Sequence, residues 1–398
     1  MGDLGRVVGA LTGPGAPFAV VRGESGGLVY ASGPRTLREF VETTWAYGDR
    51  PFLVCGERTW AYGEFFASSA ALAGRLVGEY GLRGGDRVCI AMNDRPEWQV
   101  AFWAVQLAGL VAVPVDPSWG EEPFSYVVGD CAPRLVFAER DRLLPSVAGW
   151  ASRAGARVVS LEEEREGGSG GFDPGVAPPD LDVRAEDPST IFYTGTGTER
   201  AARPGPGAVA TQLAQAGAVM NARFHAAVAD LGRGRVPGFG PVAAIPLTYP
   251  FFHPASFADV YRAMAVGGSL VMKEKERERD NPEKSLPVGL DLRLAETSGP
   301  VLLDGRPTPV TEVRVAGPRG ASLPDGEVGE LWVRGQSLAI GYWGDPQVGP
   351  GPASGPTPTP GPTPAPGAFP DAGGGWFMTG LRAALGEGRV VRWDGDAR

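Results

Sequence analysis

Histidine and cysteine are scarce in this sequence. Its 398 residues hold two histidines and three cysteines, Cys55, Cys89 and Cys131. No C-x-x-C pair occurs, so neither a zinc centre nor a disulfide framework is expected. Three reduced or buried thiols in a cytosolic protein are the plain reading. Positive charge is short as well: 37 Lys and Arg face 46 Asp and Glu, for a net charge of −9. That excludes a broad basic surface for nucleic acid and leaves room for a local pocket that binds small anions. Long apolar runs are missing. The longest, Val100–Val115, is interrupted by Gln106 and Gly109 and is too short to span a bilayer. The opening stretch MGDLGRVVGALTGPG lacks a basic n-region ahead of its weak apolar run, so it reads as a poor signal peptide. The expectation is a soluble, cytoplasmic chain without a transmembrane segment. Nothing here names a protein partner.

Glycine and proline are abundant, at 60 and 38 residues, which predicts long loops. Ten of the 38 prolines fall between Pro346 and Pro370 without periodicity, so that segment is expected to be extended and coreless. Elsewhere strands and helices alternate. Phe65, Ser69, Leu72 and Leu76 share one face of a helix over Glu64–Val77. RVCIAM (Arg87–Met92) is a buried strand. NDRPEW then opens a helix, with Asp94 as its N-cap and Pro96 in its first turn, and LVAVPVD follows as the next strand. RLVFAE and ARVVSL continue the strands, with weak helical character over Asp141–Ala154. Ala210–Ala229 reads as a helix, and VAAIPL and SLVMKE are strands around a helix at Phe257–Ala265. The pattern predicts an α/β protein with a parallel sheet. TEVRVAG and GELWVRG then mark a change to short strands.

One loop raises a chemical question. IFYTGTGTERAARPGPG (Ile191–Gly207) runs from a strand into a stretch of Gly and Thr, a composition that cradles phosphate through backbone N–H groups and hydroxyls. Alone it would be one more Gly/Thr turn. It is not alone. GDRVCIAMNDRPEWQVAFWAVQLAGLVAVPVDP, IPLTYPFFHPASFADVYRAMAVGGSLVM, LRLAETSGPV, GRPTPVTEVRVAGPRGASLPDGEVGELWVRGQSLAIGYW and GGWFMTG occur in the same chain, in an order that resembles the adenylate-forming superfamily. Within it, the acyl-CoA synthetases and fatty-acid–CoA ligases are the most similar branch.

The resemblance implies a large parallel-sheet α/β domain of adenylate-forming ligase type and a smaller β-rich subdomain. It implies the reaction of an AMP-forming acid–thiol ligase, in which ATP adenylates a carboxylic acid and coenzyme A captures the acyl group. Catalysis of that kind rests on positioning and on stabilising phosphate charge. The implied cofactors are ATP, Mg²⁺ and coenzyme A, and the implied partners are small molecules. By position, Thr194, Gly195, Thr196, Gly197 and Thr198 bind phosphates, with Thr194 catalytic. Glu296 is the catalytic Mg²⁺ carboxylate, with Thr297 beside it. His253 lines the acid pocket or packs as a structural His. Thr379 and Gly380 match the nucleotide-binding motif G-W-F-x-T-G-D.

The sequence departs from the family pattern at several of these points. Glu199 takes the place of the loop's last glycine, Pro206 that of its lysine, Leu292 that of the adenine-stacking aromatic, Arg293 that of a glycine and Leu381 that of the ribose aspartate. Arg200 and Arg203 lie near the lysine position, out of register. The connection from Lys273 to Leu294 is short by roughly eighty residues for this family. The expected parts are an N-terminal extension (1–35), an AMP-binding α/β region (36–272), a charged connection with the Mg²⁺ motif (273–299), a β-rich subdomain (300–345), a Pro/Gly-rich disordered loop (346–372) and a terminal hairpin ending at the hinge (373–398). The small C-terminal domain, with its lysine and most of the coenzyme A site, is expected to be lacking. Three readings follow: an impaired ligase, a non-catalytic nucleotide-binding or regulatory pseudoenzyme, or a decayed fragment.

Overall fold

The computed structural model describes residues 2–23, 26–139, 149, 151, 155–161, 176–193, 204–239, 242, 244–272, 301–303, 305–318, 320–344 and 375–392. The phosphate loop (194–203), the charged connection (273–300) and the Pro/Gly-rich stretch (345–374) lie outside these residues, as does most of the helix expected over Asp141–Ala154.

Helix α1 (Gly2–Thr12) is followed by a hairpin of β1 (Val20–Arg22) and β2 (Leu28–Tyr30). Helix α2 (Leu37–Thr44) starts where the Thr36 hydroxyl accepts the Glu39 N–H at 3.0 Å. Glu39 reaches back to the N–H of Arg35 at 2.7 Å, one residue beyond the N-cap that a reciprocal capping box would engage. Next come β3 (Pro51–Cys55), β4 (Arg58–Ala61), α3 (Tyr62–Gly78), β5 (Arg87–Ala91), α4 (Pro96–Leu107), β6 (Val111–Pro114), α5 (Glu121–Cys131), β7 (Leu135–Ala138), β8 (Arg157–Val159) and β9 (Pro188–Phe192). The chain continues through β10 (Ala208–Thr211), α6 (Gln212–Gly232), β11 (Ala244–Pro246), α7 (Ser256–Val266) and β12 (Ser269–Met272). The last part is all strand: β13 (Leu302–Leu303), β14 (Arg306–Pro307), β15 (Thr311–Ala316), β16 (Gly329–Gly335), β17 (Gly341–Tyr342), β18 (Phe377–Gly386) and β19 (Arg389–Arg392).

Three larger sheets result. The first has seven strands in the order β17–β10–β9–β6–β5–β7–β8. Its β9, β6, β5, β7 and β8 run parallel, and β10 and β17 are antiparallel additions at one edge. The second is β11–β12–β3–β4, with β4 antiparallel. The third, β15–β16–β18–β19, is antiparallel throughout and forms the smaller β subdomain.

The core follows from strand alternation. Val88 and Ile90 point to one face of β5, into the main cluster with α3, α4, α7 and the second sheet. Cys89 and Ala91 point to the other, toward Phe124, Val127, Val128 and Cys131 of α5. Helix α4 lies in the main cluster and is buried from Trp98 to Leu107, as expected of a helix apolar on every side. Among the described residues no helix is long and apolar enough to cross a membrane.

Three local expectations change. VAAIPL and SLVMKE do not join the parallel sheet of the first half. They form the second sheet with β3 and β4, because parallel strands with helical crossovers look alike locally whichever sheet they enter. The helix expected from Ala210 begins at Gln212, since Ala208–Thr211 pairs with β9 and the Thr211 hydroxyl caps the helix by accepting the Ala214 N–H. Asp94 is not the cap of α4. Pro96 occupies the first helical turn, so Arg95 takes the extended cap position, and the Asp94 carboxylate is used elsewhere.

Candidate functional site

In a doubly wound sheet ligands bind beyond the carboxyl ends of the parallel strands. Here those ends carry Asn93–Arg95 after β5, Asp116 after β6, Glu139 after β7 and Tyr193 after β9. The segment containing Thr194, Gly195, Thr196, Gly197 and Thr198 leaves from Tyr193. Its own residues are outside the described ones, and its two ends are well defined. Phe192 pairs with Ala208 in the antiparallel β9–β10 ladder, so the two ends of the segment stand on neighbouring strands. The last strand of this sheet then fixes β10: the Ile340 N–H donates to the Val209 carbonyl, and the Trp343 N–H to the Gly207 carbonyl, both at 2.8 Å.

Gly207 is needed where the loop returns. A Cβ at this position would lie 2.5 Å from Ile191 Cγ2 and 2.6 Å from Tyr193 Cζ. Below, the Tyr193 hydroxyl donates to Asp130 Oδ2 at 2.6 Å, and the Trp343 indole donates to the Asp130 carbonyl at 3.2 Å. Burial pushes the Asp130 carboxyl up, partly offset by the Tyr193 hydroxyl, and burial also pushes the Tyr193 phenol up. The phenol therefore keeps its proton and is the donor of the pair. Gly207→Ala should force Tyr193 aside and cost about 1–3 kcal/mol, as overpacking does. Urea unfolding measures this, and an unchanged midpoint would show that the loop mouth gives way without strain.

A buried polar network supports the same strands. Ser189 donates to Gln106 Oε1 at 2.8 Å, and Gln212 donates to the same oxygen at 2.9 Å. Gln215 donates to Thr190 Oγ1 at 2.7 Å and accepts from the Tyr261 hydroxyl at 2.6 Å. Each buried polar group so paired fixes α4, α6 and α7 against β9.

His253 stands on the turn before α7. Its ring stacks on Tyr249, with centroids 4.9 Å apart and 17° between planes, and its Nδ1 accepts the Ala255 N–H at 3.2 Å. The turn is held from two sides. Asp259 of α7 accepts the Thr248 N–H at 3.0 Å, and Asp94 accepts the Phe251 N–H at 2.7 Å. Burial raises the Asp94 carboxyl to about 6; the Phe251 N–H opposes the rise, and Asp116 and Glu139 add to it. Because this value lies above the ordinary 3.8, net stability is greatest below about pH 3.8 and falls as pH rises through about 6, since burial penalises the carboxylate by more than the Phe251 N–H favours it. Glu139, buried beside it, accepts the Asn93 N–H at 3.2 Å, also bonds the Asn93 side chain, and pairs with Arg95 at 3.1 Å.

Thr379 and Gly380 lie in the small antiparallel sheet. The buried Thr379 hydroxyl donates to the Leu331 carbonyl at 2.7 Å and accepts the Leu381 N–H at 3.1 Å. Gly380, at φ 71°, takes the left-handed conformation that lets β18 bulge opposite β16, and its N–H donates to Glu330. Glu296 and Thr297 lie outside the described residues. Sequence reasoning read Asp94 only as a cap and did not single out the Tyr193–Asp130 pair, whereas Gly207 was matched to the downstream end of the loop. Pro96 was the available signal for Asp94, because a first-turn proline places the cap one residue later.

The family model described as AMP-binding enzyme matches residues 40–291 and 290–343, in two abutting pieces whose junction falls in the short connection. The chain belongs to the AMP-binding enzyme family. Feruloyl-CoA synthase of Amycolatopsis sp is 26% identical over 322 residues, covering 67% of this chain and 63% of that protein. This AMP-binding chain thus spans less than two thirds of that relative's length. Among solved structures, apo MatB of Rhodopseudomonas palustris aligns at a TM-score of 0.66 with 20% identity, covering 90% of this chain and 78% of MatB. The N-terminal subdomain of Klebsiella oxytoca NpsA, in complex with 3-hydroxyanthranilyl-AMSN, aligns at 0.64 with 17% identity, covering 91% and 100%. These two likenesses establish a shared fold of adenylate-forming type.

Proposed function

We propose that this AMP-binding protein is acyl-CoA synthetase-like. In the ancestral reaction a carboxylate oxygen attacks the α-phosphorus of ATP, the bond to pyrophosphate breaks, and an acyl-adenylate forms. The sulfur of coenzyme A then attacks the acyl carbon, AMP leaves, and the thiol proton is released. The observation that carries the reading is the antiparallel pairing of β9 and β10, which flank the Gly/Thr segment at the carboxyl end of the parallel strand β9. Ligands of such sheets bind at that end, and the backbone N–H groups and the hydroxyls of Thr194, Thr196 and Thr198 are the groups we assign to phosphate there. Mg²⁺ in such sites rests on one or two carboxylates together with substrate phosphates, and Glu296 fits that demand as a single carboxylate. When bound, Mg²⁺ neutralises charge on the departing pyrophosphate. In this reading His253 borders the acid, on the turn held by Asp94 and Asp259.

A second reading is favoured by Glu199, Pro206 and Leu381, which replace a glycine, a lysine and an aspartate of the family pattern. It is a protein that binds nucleotide and performs little or no chemistry. Thermal shift with ATP and Mg²⁺ tests whether nucleotide binds, since ligand affinity for the folded state raises the melting temperature. Exchange of labelled pyrophosphate into ATP, over a panel of acids, then separates the two readings. Glu296→Gln keeps size and removes charge, so any exchange activity should fall to background while the melting temperature without ligand stays unchanged. Undiminished exchange in that variant removes Glu296 from the site.

A further inference from the structure

The turn that carries His253 is tied to the end of β5 through one side chain. Asp94 Oδ1 accepts the Phe251 N–H at 2.7 Å, across from β5 to the segment that precedes α7. The Phe251 ring, fully buried, stacks on Trp98 at 5.2 Å and 25°, so α4 grips the same residue from a second side. Two residues on, the His253 N–H returns to the Pro250 carbonyl at 2.9 Å, and the His253 carbonyl accepts the Ser256 N–H at 3.0 Å. The Ser256 hydroxyl donates back to the Phe251 carbonyl at 3.2 Å. His253 therefore sits in a closed turn whose anchor is Phe251, and the anchor's backbone is held by Asp94.

We propose that Asp94 is a positioning residue for acid binding: its carboxylate holds the Phe251 N–H and thereby fixes the orientation in which His253 meets the acid. This rests on the reading of His253 as a residue of the acid pocket. The contact is sensitive to charge, because a carboxylate accepts an amide hydrogen more strongly than a neutral carboxyl does. The charged groups facing Asp94 are Asp116 beyond β6 and Glu139 beyond β7, and Arg95 on its own segment is engaged by Glu139. Two acids on neighbouring strands therefore favour a proton on Asp94, and burial acts in the same direction. The clamp is tight when Asp94 is ionised and slackens as pH falls through about 6.

The two histidines make this measurable, since His225 on α6 serves as an internal reference for His253. Imidazole carbon–proton correlations are recorded for the ligand-free 398-residue chain, for Asp94→Ala and for Asp94→Asn, alongside ¹⁵N-phenylalanine spectra with Phe251 assigned by Phe251→Leu. Asp94→Ala should shift the His253 signal by more than its linewidth and leave His225 in place. Asp94→Asn, which keeps an acceptor oxygen, should bring His253 most of the way back. In the wild type the Phe251 amide should titrate with a midpoint near pH 6, and in Asp94→Asn it should stay flat. If Asp94→Ala does not fold, the titration of the wild type against the flat Asn variant decides alone. An unmoved His253 in Asp94→Ala, or a Phe251 amide that titrates identically in Asp94→Asn, overturns the proposal. Benzoate, cinnamate and octanoate are then added to the wild type. A His253 signal that ignores all three removes the acid-pocket reading, and with it the functional role, while the ligand-free spectra still report the Asp94 contact separately.

Discussion

Incubated with ATP, Mg²⁺, coenzyme A and a panel of aryl and fatty acids, the 398-residue chain should give no multiple-turnover acyl-CoA by mass spectrometry. Adenylation should reach a trace at most. The reason lies in charge. In the proposed reaction negative charge spreads over phosphate oxygens, and preorganised positive and polar groups stabilise it. Glu199 brings negative charge into the loop, Pro206 supplies no cation where the family pattern has lysine, and Leu381 supplies no carboxylate for a ribose. A lost contact of this kind costs about 2–4 kcal/mol of transition-state stabilisation, and three, even when they overlap, slow the chemistry by several orders of magnitude. The converse is equally testable. Pro206 is exposed, so Pro206→Lys enters without repacking the core, whereas Leu381 is half-buried against the core of the small sheet and Leu381→Asp gives up part of that packing. With Glu199→Gly they should raise pyrophosphate exchange at least about a hundredfold, the lower end of one restored contact. Turnover in the unaltered chain would mean that Arg200, Arg203 or a partner supplies the missing charge.

Trp98→Ala should be the most damaging single change to stability. The indole is fully buried, stacked between Phe102 at 5.7 Å and Phe251 at 5.2 Å, with Phe257 edge-on at 6.2 Å. Truncating such a side chain leaves a cavity and costs about 3–5 kcal/mol. A domain holds only about 5–15 kcal/mol in all, so this is a large fraction. Urea unfolding followed by circular dichroism reads the loss. Trp98→Phe should recover most of it by keeping the stack. A loss under about 1 kcal/mol for Trp98→Ala would mean that the aromatic cluster collapses to fill the space.

The parallel strands were legible because their chemistry is local. VCIA, after Arg87, and LVFA are short apolar runs, and Pro96 announces the helix between β5 and β6. Sheet membership was not legible. Ser269–Met272 could have joined either parallel sheet, and its pairing with Leu53–Cys55 is decided by packing across the whole chain. The hairpin of β3 and β4 escaped notice because RTWA mixes polar and apolar residues and PFLVC opens on an exposed proline, unlike the buried apolar runs of β5 and β7. The site divides in the same way. Motif order identified the family, and a motif also singled out Thr379. The partner of its hydroxyl, the Leu331 carbonyl, is a matter of strand register and cannot be read from the motif. Asp94 was misplaced as a cap since its true partner, Phe251, is 157 positions away.

The pairing of Val209 with Gly341 has a consequence for the order in which the protein forms. The edge of the seven-stranded sheet is made from chain that leaves the ribosome long after β9 and β10 have been synthesised. Until residue 342 emerges, β10 is an open edge, and open strand edges are where nascent chains mispair. Closing it also requires a long segment to be looped out first, which slows the step. The edge beside the Gly/Thr segment is therefore completed late, and a chain interrupted before Gly341 would carry the parallel strands with β10 still open.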